Sequence, residues 1–314
     1  MIKKICFAAM AAVAAVSCCE KDVELPEQET EGELVTFSVA VPGLQTKSVG
    51  DTDEKNVNSL QVIVFNKNGV YESTSYGRGT AVSLTCTAGQ KRMVALVNAN
   101  MEDGLANYDE LAARSLNLKD AGPGDLVMYG DSTLTVVANN DIDLDVKYLS
   151  SKIVLESVTL NFSNQQHRKM QFAIKSVFLT NVAGDRKYGF EADPTKWYHL
   201  DKYDKQNTLP FLYDSLGEGK TLSHGETYDT EHYFYCYPNQ TTTKTRLVIE
   251  AEIGGQIYYY PIILDEILPN NQYSYNVVLT RLGVDSPDAS LDRGVYAVSV
   301  TMKDWKTNSS TVEI

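Results

Sequence analysis

The sequence has few residues of the kinds that build metal sites and disulfide frameworks. Among 314 residues there are four histidines and five cysteines, and no two histidines stand within five residues of each other. Zinc sites usually need close spacing of their ligands, so the sequence predicts no metal site.

Cys86 and Cys236 are the cysteines that lie beyond the first 19 residues. Both stand in strand-like segments and are expected to be buried free thiols, although they could pair if both faced one interface.

Positive charge and catalytic motifs are also scarce. The chain has 28 lysines and arginines against 41 aspartates and glutamates, which gives a net charge of −13. This charge argues against nucleic acid or an anionic lipid surface as a partner. No serine has the Gly-x-Ser-x-Gly setting of a hydrolase nucleophile, and the glycines of 76–80 lack the strand-to-helix setting of a phosphate-binding loop. The sequence therefore predicts a protein that is not an enzyme and that has no catalytic residue and no cofactor.

Long apolar runs are missing as well. The run "ICFAAMAAVAAV" at residues 5–16 is too short to span a bilayer, and it follows the positively charged Lys3 and Lys4. This arrangement is typical of the apolar region of a signal peptide.

Small residues before Cys18 are similar to the cleavage motif of bacterial lipoproteins. We therefore predict a lipoprotein signal peptide at 1–17 and lipidation of Cys18, with Cys19 as the fallback acceptor. Ordinary secretion with two spare cysteines is the alternative. The acidic residues 18–33 are expected to form a disordered tether between the lipid and the fold.

β-strand patterning, by contrast, is abundant. Val35, Phe37, Val39 and Val41 alternate with polar or small residues, as in a strand with one buried face. Residues 60–65 are apolar on both faces, which indicates a central strand. The nineteen tyrosines and the many serines and threonines also favour β structure.

One helix is predicted in the segment "NYDELAARSLNL". Asn107 is its expected N-cap and Glu110 its capping-box partner, and Leu111, Ala112 and Leu116 form an apolar stripe.

Two segments are predicted as hairpins. Residues 81–100 have the form of two strands around an Ala-Gly-Gln turn, and Gly254-Gly255 is a two-residue turn signal.

The predicted fold class is mainly β, with two tandem β-sandwich domains of transthyretin-like or Greek-key type and one short helix in the first. The expected parts are a first domain at 34–146, with its first strand at 34–42 and a loop at 43–56, a second domain at 147–305, and a tail at 306–314.

Two further segments have both a functional and a structural interpretation. The aspartates of "DIDLDV" at 141–146 have the spacing of a calcium loop, but the glycine and the final glutamate of such a loop are missing. A strand with one solvent-exposed face is therefore favoured. Tyr258, Tyr259 and Tyr260 could stack on carbohydrate, or they could be a strand with rings on both faces of a sheet.

The order and spacing of these segments resemble the major fimbrial subunits, or fimbrillins, of Bacteroidales, whose FimA-like members build type V pili. The resemblance rests on the lipoprotein leader, "EGELVTFSVAV", "SVGDTDEKNVNSLQVIVFN", "CTAGQKRMVALVNAN", "YDELAARSL", "YCYPNQ" and "VSVTMKDW". It implies a structural subunit that is exported as an outer-membrane lipoprotein and becomes part of a surface fimbrium that supports adhesion and colonisation.

The resemblance also implies a route of assembly. In that family an arginine-specific protease cuts the loop after the first strand, the strand leaves with its lipid, and a C-terminal strand of another subunit fills the vacated groove. The corresponding cleavage here is between Lys47 and Ser48, and the displaced strand is 34–42 with its four alternating apolar residues. The implied partners are other copies of this chain or related fimbrial subunits, a trypsin-like or arginine/lysine-specific protease, and the outer membrane through the lipid anchor.

The donor strand would come from the tail 306–314, in which Val312 and Ile314 share one face of an extended strand. Residues 296–305 are expected to be a strand of the second domain that contributes to the donor. The alternative is that 296–305 is simply the last strand and that the tail is frayed.

The lysine at position 47, where the family has arginine, leaves a second interpretation open. An uncut subunit would keep its lipid and serve as a fimbrial anchor or accessory subunit. A third interpretation, a glycan-binding surface lipoprotein, rests on the tyrosines of 184–260 and the lipid tether. The sequence identifies no host ligand.

Overall fold

The computed structural model describes residues 32–46, 54–189, 192–291 and 295–305. Within these ranges the chain is mainly β-strand with one α-helix, which confirms the predicted fold class. No helix of the described part is long and apolar enough to cross a membrane. The predicted signal peptide, nearly all of the tether and the tail 306–314 lie outside the described residues.

The first unit contains the helix and the first half of the strands. They are β1 (Leu34–Ala40), β2 (Gln45–Thr46), β3 (Asn56–Val57), β4 (Leu60–Asn66), β5 (Tyr71–Gly77), β6 (Ala81–Thr87), β7 (Gly89–Val97), α1 (Tyr108–Ala113), β8 (Ser115–Asn117), β9 (Met128–Val136), β10 (Asp141–Asp143) and β11 (Lys147–Tyr148).

The second unit follows without a long linker. Its strands are β12 (Ser151–Leu160), β13 (Phe172–Thr180), β14 (Val182–Ala183), β15 (Asp185–Lys187), β16 (Trp197–Tyr198), β17 (Tyr213–Leu222), β18 (Thr227–Cys236), β19 (Arg246–Ile253), β20 (Gln256–Ile263), β21 (Asn271–Leu279) and β22 (Tyr296–Asp304). Short 3-10 helices lie at Leu118–Asp120, His167–Lys169, Lys205–Asn207 and Pro210–Leu212.

The first unit pairs a three-stranded sheet, in the order β10-β1-β6, with a five-stranded sheet, in the order β11-β9-β7-β4-β5. In β4, Val62 and Val64 belong to the core under the three-stranded sheet, whereas Ile63 and Phe65 belong to the core on the opposite side. The five-stranded sheet is therefore a middle layer buried on both faces, as the apolar pattern of 60–65 predicts.

The second unit packs two four-stranded sheets against each other, in the orders β18-β12-β21-β22 and β17-β13-β19-β20. Ile153 and Val277 from one sheet share a buried cluster with Ile174 and Leu247 from the other. The hairpin predicted at Gly254-Gly255 joins β19 to β20, and both glycines have positive φ, 59° and 84°. A two-residue hairpin turn needs this left-handed backbone, which glycine adopts at little cost.

The two units share buried surface. β8 of the first unit pairs with β15 of the second, with Asn117 opposite Asp185. The buried cluster that contains Phe65 and Leu111 of the first unit continues into Tyr237 of the second.

The helix begins as predicted and ends earlier. The Asn107 side chain accepts a hydrogen bond from the backbone N–H of Glu110 at 3.0 Å, while the Glu110 carboxylate accepts from the N–H of Ala106 at 2.8 Å. Leu111 is buried in the helix, but Leu116 lies in β8, so the predicted helical stripe is wrong at that residue. Pairing of β8 with β15 outweighs the helical preference of the segment.

The hairpin predicted over residues 81–100 is also wrong. β6 pairs with β1 in the three-stranded sheet, while β7 pairs with β4 and β9 in the five-stranded sheet. The chain crosses between the two sheets at Gly89, where φ is 112°.

The two residues after the predicted domain end at 146 still pair with a strand of the first unit. β11 pairs antiparallel with β9, with Tyr148 opposite Met128, so Lys147 and Tyr148 extend the five-stranded sheet. We propose the domain boundary after Tyr148.

Candidate functional site: the groove of the first strand

Strand β1 buries one whole face. Val35, Phe37, Val39 and Val41 are 5, 3, 0 and 1 % exposed, whereas Leu34 at the start of the strand is 71 % exposed. The four predicted residues thus point into the core between the two sheets of the first unit. If β1 left, these four side chains would be withdrawn from that core.

β1 is the middle strand of its sheet. It pairs antiparallel with β6 along its full length and parallel with β10 near its end. The backbone N–H of Val41 donates to the carbonyl of Thr80 at 2.8 Å, and that of Leu144 donates to the carbonyl of Ala40 at 2.9 Å. Removal of β1 would separate β6 from β10 and leave two unpaired strand edges facing a gap one strand wide.

The floor of this groove is apolar. It is formed by fully buried side chains of the middle sheet, among them Leu60, Val62, Met93, Ala95 and Met128. Ile142 and Leu144 flank the groove on the β10 side and are also buried. A vacated groove would therefore expose a hydrophobic trench to water.

One of the two described cysteines lies beside β1, in the strand that borders the groove. Cys86 lies opposite Val35 across the β1–β6 pair and is 2 % exposed. Burial, together with the nearby charge of Glu72, raises the pKa of its thiol to about 11. Cys236 is fully buried in the core of the second unit, and burial raises its pKa to about 12. Both thiols are free, in agreement with the expectation from sequence.

A charged cluster stands at the end of the groove where β1 begins. Lys91 Nζ donates to Glu72 Oε2 at 2.7 Å, and the backbone N–H of Thr87 donates to Glu72 Oε1 at 2.6 Å. Burial acts to raise the pKa of Glu72, but the hydrogen bonds from Lys91 and Thr87 outweigh it and hold the pKa below its ordinary value. The cluster ties β5, β6 and β7 together at this end.

The segment after β1 returns to the first unit through a short parallel pair. In β2 and β3, Gln45 lies opposite Asn56 and Thr46 opposite Val57. The predicted cleavage residues Lys47 and Ser48 lie between these strands and outside the described residues. A cut there would place β2 on the departing side and β3 on the remaining side.

The last described strand, β22, lies at a sheet edge, whereas β1 lies in the middle of its sheet. Among the described residues β22 pairs only with β21. Val298, Val300 and Met302 share one face, as predicted, and are 39, 45 and 57 % exposed. The donor residues Val312 and Ile314 lie outside the described part of the chain.

The other candidate segments are strands. Within "DIDLDV", Asp141–Asp143 forms β10, whose Ile142 faces the core while the aspartates face solvent. Tyr260 is buried in β20, and Tyr258 and Tyr259 are half-buried there. No group of three or more metal-ligating side chains occurs in the described ranges.

Two features of this region carry no sequence signal that would reveal them. The first is that β10 forms one wall of the groove, because its parallel partner β1 lies a hundred residues earlier in the chain. The second is a contact between Glu54 and Trp305, which are 251 residues apart.

Part of the first unit is similar to a known protein family. Residues 36–135 match the family model of the major fimbrial subunit protein, FimA. No curated protein matches the chain in sequence.

Solved structures share the fold across both units. A proposed cell adhesion protein from Bacteroides eggerthii superimposes with a TM-score of 0.67 at 19 % identity, covering 88 % of this chain and 98 % of that one. The fimbrilin FimA from Porphyromonas gingivalis gives a TM-score of 0.63 at 15 % identity, with 86 % and 97 % covered. The tip fimbrial protein of Porphyromonas gingivalis, in a C-terminally truncated form, gives 0.53 at 11 % identity, with 87 % and 100 % covered.

These findings confirm the resemblance to the fimbrillins that the sequence suggests. Over residues 36–135 the chain matches the FimA major fimbrial subunit family, and its described residues have the fold of the solved fimbrilin.

Proposed function

We propose that the protein is a structural subunit of a type V fimbria, that it polymerises by donor-strand exchange, and that the fimbria supports adhesion and colonisation. The observation that carries this proposal is β1, a fully paired middle strand with one buried face that stands at the very start of the fold. A strand in that position can leave without threading any other part of the chain.

The maturation that we propose follows the order of the sequence. The precursor is exported, lipidated at Cys18, or at Cys19 in its place, and held at the outer membrane by the tether. A protease of trypsin-like or arginine/lysine specificity then cuts between Lys47 and Ser48, and β1 leaves with the lipid. The mature subunit joins the surface fimbrium through contacts with other copies of itself or with related subunits.

The energetics explain why a vacated groove has to be refilled. Withdrawal of four apolar side chains from the core costs roughly 6–12 kcal/mol of gross burial, at about 1.5–3 kcal/mol each. This is comparable with the whole stability of a domain. An incoming strand restores both the backbone pairing and the side-chain pockets. In our proposal the donor is the tail 306–314 with Val312 and Ile314, extended by the apolar face of β22.

The alternative role as an uncut anchor or accessory subunit rests on one observation. The loop at 43–56 contains Lys47 and Lys55 but no arginine, so an arginine-specific protease would leave the chain intact there. In that case β1 stays in its groove and the lipid keeps the subunit at the base of the fimbria.

The decisive measurement is N-terminal sequencing and intact mass of the protein taken from the cell surface. The polymerising role predicts a chain that starts at Ser48 and has no lipid mass. A lipidated Cys18 on the surface form would contradict that role and establish the anchor.

Thiol reactivity provides a second test. In the purified precursor, Cys86 and Cys236 should both resist a maleimide reagent. After the loop is cut and β1 is removed under mild denaturant, Cys86 should become reactive while Cys236 stays protected, and polymerisation should protect Cys86 again. Equal protection of Cys86 in all three states would contradict departure of the strand.

A further inference from the structure

The segment that follows the predicted cleavage site and the last described residue of the chain meet at Glu54. This residue is the first one described after the segment that contains Lys47, and its carboxylate accepts three hydrogen bonds from the second unit. Lys152 Nζ and the Tyr235 hydroxyl donate to Oε1 at 2.6 and 2.7 Å, and Trp305 Nε1 donates to Oε2 at 2.8 Å. The hydroxyl of Tyr148 donates to the backbone carbonyl of Glu54 at 2.8 Å.

Trp305 is more deeply buried than the outer face of the strand that precedes it. Its ring stacks on Tyr148 at a centroid distance of 4.1 Å and on Tyr235 at 5.6 Å. Its backbone N–H donates to the carbonyl of Asn270 at 2.8 Å. Trp305 is 6 % exposed and belongs to the core of the first unit, whereas Met302 in β22 is 57 % exposed. The C-terminal arm is thus fastened at its last described residue.

We propose that Glu54 is a latch that holds the C-terminal arm of a subunit against its own first unit until the segment after β1 is cut. The latch consists of Glu54, Lys152, Tyr235 and Trp305, with Tyr148 beneath the indole ring. While it is closed, Trp305 is held in the first unit and β22 stays in its sheet, so β22 cannot extend the donor strand. The inference rests on the proposed strand exchange, because only then does the arm have a second destination.

Cutting the chain would remove two of the supports that position Glu54. The first is the covalent connection to β2. The second is the pairing of β3 with β2, which is lost when β2 leaves with β1, so that Asn56 and Val57 no longer lie opposite Gln45 and Thr46. Glu54 would then be six residues from a new chain end at Ser48. A carboxylate that has to satisfy three donors at once depends on such positioning, because each bond weakens steeply with geometry.

The latch couples the two steps of assembly in the correct order. A subunit would free β22 for the donor strand only after its own first strand can leave, so an uncut precursor at the membrane could not accept a strand and could not extend its donor with β22. This would slow polymerisation before export is complete.

The first test measures Trp305 directly. The chain has two tryptophans, so Trp197→Phe leaves Trp305 as the only tryptophan, and excitation at the red edge of the absorption band, where tyrosine does not absorb, reads it selectively. In this background and in the uncut chain from residue 20 onward, acrylamide should quench Trp305 weakly. Glu54→Ala should make quenching several-fold stronger, and cutting the unmutated chain should have a similar effect. The matched control is Glu156→Ala. Glu156 is exposed and lies on the same strand as Lys152, so its loss should leave the quenching of Trp305 unchanged.

Equal quenching in Glu54→Ala and Glu156→Ala would overturn the latch, whatever the outcome for polymerisation. Glu54→Gln keeps the size of the side chain and removes the charge, so it replaces the alanine variant if the latter folds poorly. It should give an intermediate increase.

The second test measures donation of the arm. The acceptor is a cut subunit that lacks residues 306–314. The uncut donors carry Lys47→Gln and are never exposed to protease, because Lys55 is a second basic residue of the same loop. The Glu54→Ala donor should join the acceptor about tenfold faster than the otherwise unmutated donor, the change expected for one lost hydrogen bond to a charged group.

A cut donor with all other residues unmutated serves as the reference in this experiment. If this reference fails to join the acceptor, strand exchange itself is contradicted, and the fluorescence test alone decides the latch. If the reference joins while the Glu54→Ala donor is no faster than its parent, the latch is contradicted and the proposed function stands.

Discussion

The first and the last strand of the described fold are built in opposite ways. β1 is a middle strand with a partner on each side, and its inward face is at most 5 % exposed. β22 is longer but lies at a sheet edge, and its Val298, Val300 and Met302 are 39–57 % exposed. One strand closes a core, whereas the other is added to a core that is largely complete.

The difference indicates what each strand costs to remove. Loss of β1 uncovers an apolar trench and two sheet edges, so the first unit needs a replacement. Loss of β22 uncovers one edge and removes side chains that are already partly in water. A molecule with these two ends is suited to receive a strand at one of them and to give a strand from the other, which supports the proposed exchange.

The largest effect is expected at the buried face of β1. Phe37→Ala should lower the free energy of unfolding of the first unit by about 3–5 kcal/mol, because it removes a ring from a closed core. Urea denaturation followed by Cys86 labelling would measure this. Thr36→Ala, on the outer face of the same strand, is the control. It loses only a hydroxyl contact with Thr85 and should cost less than about 1 kcal/mol. Equal costs for the two variants would contradict the burial described for β1.

A second prediction concerns acid stability of the first unit. Asp131 accepts hydrogen bonds from Arg92 at 2.9 and 2.5 Å and from the hydroxyls of Tyr108 and Tyr129 at 3.0 and 3.1 Å. Burial acts to raise the pKa of Asp131, but these donors outweigh it and hold the pKa below its ordinary value. The stabilisation is therefore present above the pKa of the unfolded chain, about 3.9, and is lost as the pH falls through the lower folded value.

Asp131→Asn should lower the urea midpoint at neutral pH and flatten its decline below about pH 4, since the titrating group is gone. Asp185→Asn offers the same comparison for the second unit. The pKa of Asp185 is likewise lowered, because hydrogen bonds from Thr195 and Lys196 outweigh the effect of burial. An unchanged acid profile in Asp131→Asn would show that this carboxylate does not contribute.

The smallest effect is expected in β22. Val300→Ala should change the free energy of unfolding of the second unit by about 0.5 kcal/mol or less, because the side chain is 45 % exposed. In contrast, it should slow fibre formation if this face enters the groove of a neighbouring subunit. Ser299→Ala, on the opposite face of β22, is the matched control for both measurements. A cost as large as that of Phe37→Ala would remove the distinction between the two strands.

Local patterns predicted much of the fold. The alternation of β1, the two-faced apolar segment of β4, the cap at Asn107 and the turn at Gly254-Gly255 depend on near neighbours in the chain, and the structure confirms each of them. The buried face of the groove could be read directly from this alternation.

Pairing between distant segments was not accessible in the same way. Two consecutive strands look alike in sequence whether they pair with each other or cross between sheets, as β6 and β7 do. The early end of α1 depends on β15, which lies some 70 residues later. The bonds that Glu54 accepts come from residues about 100, 180 and 250 positions away, and no local pattern encodes them.

The register of the second unit sets the point from which residues 306–314 start. Ile153, Tyr273 and Met302 lie side by side in neighbouring strands, so β12 enters and β22 leaves at the same end, next to the first unit. The nine residues after Trp305 can span at most about 30 Å when fully extended, which is about the length of the ten-residue strand β12. A neighbour placed beyond the far end of the second unit would lie at the limit of that reach, and β22 would have to detach from β21 to supply the remaining length. A neighbour placed alongside the second unit could be reached with β22 still in its sheet.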